Sequence, residues 1–224
     1  MKNKKTSVKL KKSIKAFTLA EVLITLGIIG IIISITLPAL IHHQKKIIIE
    51  SRLKKFYTVI NQAILQAETE FGDKENWYIK NNDDFFNTYL KKYLITTHVE
   101  DLETSKKLLD FPDGSSAILN IYHMCPGTRC GGHIVFCPKS KDCKKGINSD
   151  LYGTKQFQFA YMPNHPDDRS FQHHYKKGVE PYKVYWYGTE ANLKTYCNNT
   201  SGTYCTALIQ YHGWKIPNDY PKKL

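Results

Sequence analysis

Phe17–Ile41 reads FTLAEVLITLGIIGIIISITLPALI and carries one formal charge, Glu21. As an α-helix this run extends about 37 Å, at about 1.5 Å per residue, enough to cross a hydrocarbon core of about 30 Å. A secretory signal peptide has a shorter apolar core, with a small-residue cleavage site after it. The run is too long for that, so the processing point falls before it, on its charged side. Glu21 is the anomaly. An ionised carboxylate in lipid costs on the order of 3 kcal/mol or more, so such an acid marks a functional site unless it reaches the headgroups at the interface.

Upstream, Lys2, Lys4, Lys5, Lys9, Lys11, Lys12 and Lys15 crowd the first 16 residues with no acid among them. By the positive-inside tendency this leader stays in the cytoplasm, and the chain beyond the span is exported. Lys45, Lys46, Arg52, Lys54 and Lys55 lie past the span, but the leader is denser and nearer the membrane. It also accounts for much of the basicity. The formal charge of +12 falls to +5 once the seven leader lysines are removed. That weakens the nucleic-acid role that the total charge invites.

The residues Lys15-Ala16-Phe17-Thr18-Leu19-Ala20-Glu21, with the apolar run behind them, resemble the signal of type IV prepilins and type II secretion pseudopilins. The resemblance implies cleavage between Ala16 and Phe17 by the prepilin peptidase, a membrane aspartyl enzyme, and N-methylation of Phe17. It also implies assembly through Phe17 and Glu21, the carboxylate of one subunit pairing with the amine of its neighbour. Each buried charge is costly alone and tolerable when paired. Gly30 and Pro38 fall where helices of this family flex. Proline removes an N–H and crowds the preceding turn, so a kink or local opening is expected at Pro38. Gly27 and Gly30 permit close helix packing. Ala16 departs from the family's usual glycine but is also small, so slower or normal cleavage is expected.

The partners implied are the prepilin peptidase, other pilin or pseudopilin subunits, the inner-membrane assembly platform and membrane lipid. The implied location is a single pass in the bacterial cytoplasmic membrane, with the N-terminus inside, the head exported and a filament as destination.

Past Ile41 the chain turns polar at His42-His43-Gln44-Lys45-Lys46. Adjacent histidines point different ways on a helix, which favours interfacial placement over a metal site. Ile49, Leu53, Phe56, Ile60, Ala63, Ala67 and Phe71 then recur in steps of three and four, one face of a helix. Gly72-Asp73 is its stop. The spacing predicts one helix over 17–71, its outer half against the head, with Ile47-Ile48-Ile49 apolar on more than one face.

The remainder reads as one head over 73–224. The whole is α+β: a long N-terminal helix on a small antiparallel sheet. A helix is expected over Asp83–Leu94 and another over Thr203–His212, ending at Gly213. Strands are expected at Ser115–Tyr122, His133–Phe136, Gln156–Tyr161 and Tyr182–Tyr187. Gln156–Tyr161 alternates as a half-buried strand does. Asn148–Phe159 and Cys205–Pro221 also resemble head segments of bacterial pseudopilin-like proteins.

The division is therefore a leader (1–16), a spanning assembly helix (17–41), its amphipathic continuation (42–72) and the exported head (73–224). The six cysteines, Cys125, Cys130, Cys137, Cys143, Cys197 and Cys205, fit disulfides in an oxidising compartment. Cys197 and Cys205 can close a short loop. The first four allow three pairings, among which sequence does not choose. Their spacing lacks the paired Cys-x2-Cys knuckles of common zinc folds.

His165, Asp167, Asp168, His173 and His174 form a polar cluster, read as an exposed loop rather than a metal site. No calcium loop is recognisable. Asn198-Asn199-Thr200-Ser201 satisfies a glycosylation pattern of little weight in a bacterial protein.

No nucleophile, phosphate-loop or zinc-protease pattern stands out, so the reading is a structural subunit with no catalysis and no cofactor. The alternatives are a competence pilin whose basic, aromatic head binds DNA, and an exported enzyme using the segment as an anchor.

Overall fold

The computed structural model describes residues 17–125, 130–164, 171–199 and 201–224. The leader 1–16, residues 165–168 of the His/Asp cluster and Thr200 of the glycosylation pattern lie outside them. The chain divides into two compact units, one ending at His43 and one beginning at Gln44.

Helix α1 (Leu19–Phe71) is 53 residues long. Every residue from 17 to 45 is exposed. This helix is long and apolar enough to cross a membrane. It continues through Pro38 without interruption.

Within the second unit, the periodic residues of α1 are buried from Ile49 through Ala67, together with Ile64, which lies outside the expected pattern. Phe71, the expected last member, is 42% exposed; its ring meets Tyr89 edge-on. Gly72, at φ 75°, ends the helix in the left-handed region that glycine enters freely.

A short helix, α2 (Asn82–Asp84), is capped by Asn81, whose side chain accepts from the Asp84 N–H at 2.9 Å. It runs into a π-helical segment, Phe85–Leu90, where one regular helix was expected. The wider turn buries Phe85, Phe86, Tyr89 and Leu90 together.

Six strands come next: β1 (His98–Leu102), β2 (Lys106–Asp110), β3 (Ser116–His123), β4 (Gly131–Cys137), β5 (Phe157–Tyr161) and β6 (Val179–Pro181). They form one antiparallel sheet in sequence order. The expected α+β architecture, a long helix followed by an antiparallel-sheet head, is what the structure contains.

One sheet face meets α1. Phe56 stacks on Phe136 with centroids 4.6 Å apart and meets Phe159 edge-on at 5.2 Å. Ile60, Ala63 and Ala67 share this core with Leu119, Ile134 and Tyr161. The other face packs Ile118, Val135 and Cys137 under Cys143 of α3 (Ser140–Cys143) and Tyr152.

This second layer corrects the half-buried reading of Gln156–Tyr161. All five residues of β5 are buried, and Gln156, just before it, faces a loop rather than water. Gln156 donates from Nε2 to the carbonyls of Asp142 and Gly146, and its Oε1 accepts from the Asn148 N–H at 2.9 Å. Buried polar groups survive when hydrogen-bonded in this way.

The expected strand Tyr182–Tyr187 is a turn. Tyr185 sits at φ 65°, a conformation that ends extended structure for a bulky residue. Pairing stops at Pro181, at the sheet edge. Helix α4 (Glu190–Asn198), which was not expected, is followed by α5 (Cys205–Tyr211).

Candidate assembly site

Phe17 and Thr18 precede α1, and Phe17 is 84% exposed. Thr18 caps the helix. Its Oγ1 accepts from the Glu21 N–H at 3.2 Å, while a Glu21 carboxylate oxygen accepts from the Thr18 N–H and hydroxyl, both at 2.8 Å. This is a reciprocal capping box, in which two otherwise unpaired N–H groups are satisfied and the acid meets the positive end of the helix dipole. Sequence reasoning missed Thr18 as a functional residue, although Thr-x-x-Glu before an apolar run is a readable signature. The second Glu21 oxygen, Oε1, has no hydrogen bond among the described residues. It belongs to an exposed turn.

Gly27 and Gly30 are likewise open. A Cβ built on either meets nothing within 4 Å, so neither glycine serves contacts with the described residues. Pro38 lies on the same exposed helix. Ala16, on the leader side of the junction, lies outside the described residues.

The cysteines are all paired: Cys125–Cys130, Cys137–Cys143 and Cys197–Cys205. Each bridge is local. The first closes the β3–β4 connection, the second ties β4 to α3, and the third joins the end of α4 to the start of α5. Gly153, at φ 78°, lets the backbone pass the last bridge; a Cβ there would lie 2.3 Å from Cys205 Sγ.

Of the polar cluster, His173 and His174 are described. His173 Nε2 lies 3.0 Å from the Trp186 carbonyl, and His174 Nε2 accepts from the Lys183 N–H at 3.3 Å. His174 is fully buried. Burial, with Lys183 nearby, pushes its pKa down to about 3. The two side chains therefore serve packing and backbone pairing. Among the described residues no group of three or more His, Cys, Asp or Glu could hold a metal.

An exposed apolar helix that opens on a capped acid, ahead of a disulfide-bonded sheet head, is the build of a type IV pilin-like precursor. Residues 11–37 match the prokaryotic N-terminal methylation motif. That motif implies membrane anchoring, processing by a prepilin peptidase and assembly with other pilin subunits. Residues 39–224 match the family of unknown function DUF6613, and the chain belongs to that family. No curated protein and no solved structure matches it.

Proposed function

We propose that this chain is a structural subunit, a pseudopilin or minor pilin, of a type II secretion or type IV pilus-like filament. The observation that carries the reading is the methylation motif over residues 11–37 on an apolar helix that is exposed along its whole first unit. In this reading residues 1–16 are a disposable cytoplasmic leader, 17–41 span the inner membrane and 73–224 form the exported head. Cleavage between Ala16 and Phe17 leaves an amine on Phe17, which is then methylated.

Glu21 has two tasks. One carboxylate oxygen holds Thr18 and starts the helix. The other is free to accept from the Phe17 amine of a neighbouring subunit. Either charge in an apolar bundle is costly alone, and pairing offsets much of the cost. Gly27 and Gly30 let neighbouring helices approach. Gly30 and Pro38 give the helix places to bend, since Pro38 lacks the N–H that would tie it to the preceding turn.

The test is co-assembly. Glu21→Val, expressed beside the wild-type chain, is expected to be cleaved and to stay in the membrane while being excluded from filaments or from crosslinked subunit pairs. Incorporation equal to wild type would contradict the pairing role. Glu21→Gln keeps an acceptor for the cap but loses the charge, so it separates capping from pairing.

A further inference from the structure

A groove of about 180 Å³ opens in the second unit where α1 meets α3 and the β4 end. Ile48, Ile49 and Pro138 supply apolar floor, and Lys45, Lys139, Lys141 and Lys155 stand around it. All four lysines are exposed. None is in an ion pair among the described residues, and Asp142 is the one acid side chain in the lining. Ile47 and Ile48 are 42% and 37% exposed, so apolar surface continues beside the cations.

Four cations around an apolar floor suit an anion that carries hydrocarbon. The lining holds no aromatic side chain, so it offers no stacking platform for a nucleic-acid base. Chain distance narrows the choice further. Lys45 follows Ile41, the last residue of the apolar run, by four positions. Even fully extended, four residues reach about 14 Å, and the headgroup layer outside the hydrocarbon core is roughly 5–8 Å deep. Whatever path the chain takes, Lys45 stays near the headgroups of a membrane that holds residues 17–41.

We propose that this groove takes the phosphate headgroup of an anionic phospholipid and rests the head of the membrane-resident subunit on the bilayer. The proposal rests on the membrane-anchored reading given above. Lysines at an anionic surface each contribute about fivefold to attraction, so three of them contribute on the order of a hundredfold. Entry into a filament then releases the contact, because the subunit leaves the lipid.

The test is hydrogen–deuterium exchange of the processed full chain in nanodiscs of phosphatidylcholine alone or mixed with phosphatidylglycerol. Slower exchange over residues 139–147 and 153–156 is expected only with phosphatidylglycerol, weakening as salt rises. Lys139→Gln/Lys141→Gln/Lys155→Gln is expected to lose that protection while keeping the wild-type pattern in phosphatidylcholine, which reports an intact fold. Lys144→Gln/Lys145→Gln, close by but outside the lining, is expected to keep it. Equal protection in both lipids, or equal loss in both variants, would overturn the proposal. So would the same protection from inorganic phosphate in phosphatidylcholine discs, or protection that grows with subunit density instead of anionic lipid. Failure of the chain to stay in either disc would overturn the anchor itself and the groove assignment with it.

Discussion

Single residues show where polar chemistry has been taken into the core. Glu50 is 6% exposed on α1, and its carboxylate accepts from the Ile216 N–H and from Lys215 Nζ, both at 2.9 Å. The lysine is 74% exposed on its side chain, so that pair contributes little. The buried N–H decides the cost. Glu50→Ala strands it and is expected to destabilise the head by roughly 1–3 kcal/mol in urea unfolding.

Two histidines set a pH dependence. Burial, with Lys183, His173, Lys177 and His133 nearby, pushes His174 down to about 3. Burial, with His123 beside it, pushes His133 down to about 4; Tyr122 and Tyr182 also face that ring. Above about pH 6.5 both are neutral whether folded or not, and their contribution is fully present. As pH falls below that, the unfolded chain takes up protons that the folded chain refuses. Stability should therefore drop toward pH 4 by at most about 1.4 kcal/mol per unit per histidine, with the His133 share levelling off near pH 4. Urea titrations at several pH values check this; His133→Gln/His174→Gln should flatten the slope. Neither role was legible in sequence, because burial of a histidine is set by distant segments and leaves no local pattern.

Elements divide by how much their neighbours decide them. The α1 face from Ile49 to Ala67 was legible because a helical period of about 3.6 residues survives any partner. Phe56 is its centre, packed on both Phe136 and Phe159, and Phe56→Ala is expected to cost about 3–5 kcal/mol in the same assay. Strand β1 (HVEDL) was not legible. It is a largely exposed edge strand with mixed charge, and pairing with β2 alone makes it extended. In β2, Lys107 is buried yet carries ion pairs to Asp83 and Asp101, which no local pattern announces. The aromatic run at Tyr182–Tyr187 misled for the opposite reason: its residues favour strands, but the positive φ at Tyr185 turns the chain.

The third disulfide belongs to the same scale. Cys197 and Cys205 are eight positions apart and join α4 to α5. Cys197→Ser/Cys205→Ser is expected to lower stability by about 2–3 kcal/mol on the chain-entropy view. Faster amide exchange in α4 and α5, ahead of the sheet, would accompany it.

For the whole molecule, charge and hydropathy along the chain carried more information than any motif in the head. The contrast between the seven leader lysines and the apolar run behind them pointed to the membrane, to processing and to export. Of the antiparallel head, β3, β4 and β5 were legible from short strand patterns, without their pairing, whereas β1, β2 and β6 were not. The lysine groove was not, because Lys45, Lys139, Lys141 and Lys155 are brought together by tertiary packing.

The proposed leader and the proposed export of the head meet at one junction, Ala16–Phe17. Mass spectrometry of the protein taken from membranes with an active prepilin peptidase tests it most directly. The expected result is a mature chain that begins at N-methylated Phe17, with residues 1–16 gone. A chain that keeps Ala16 and its lysine leader, with no processed form, would contradict it.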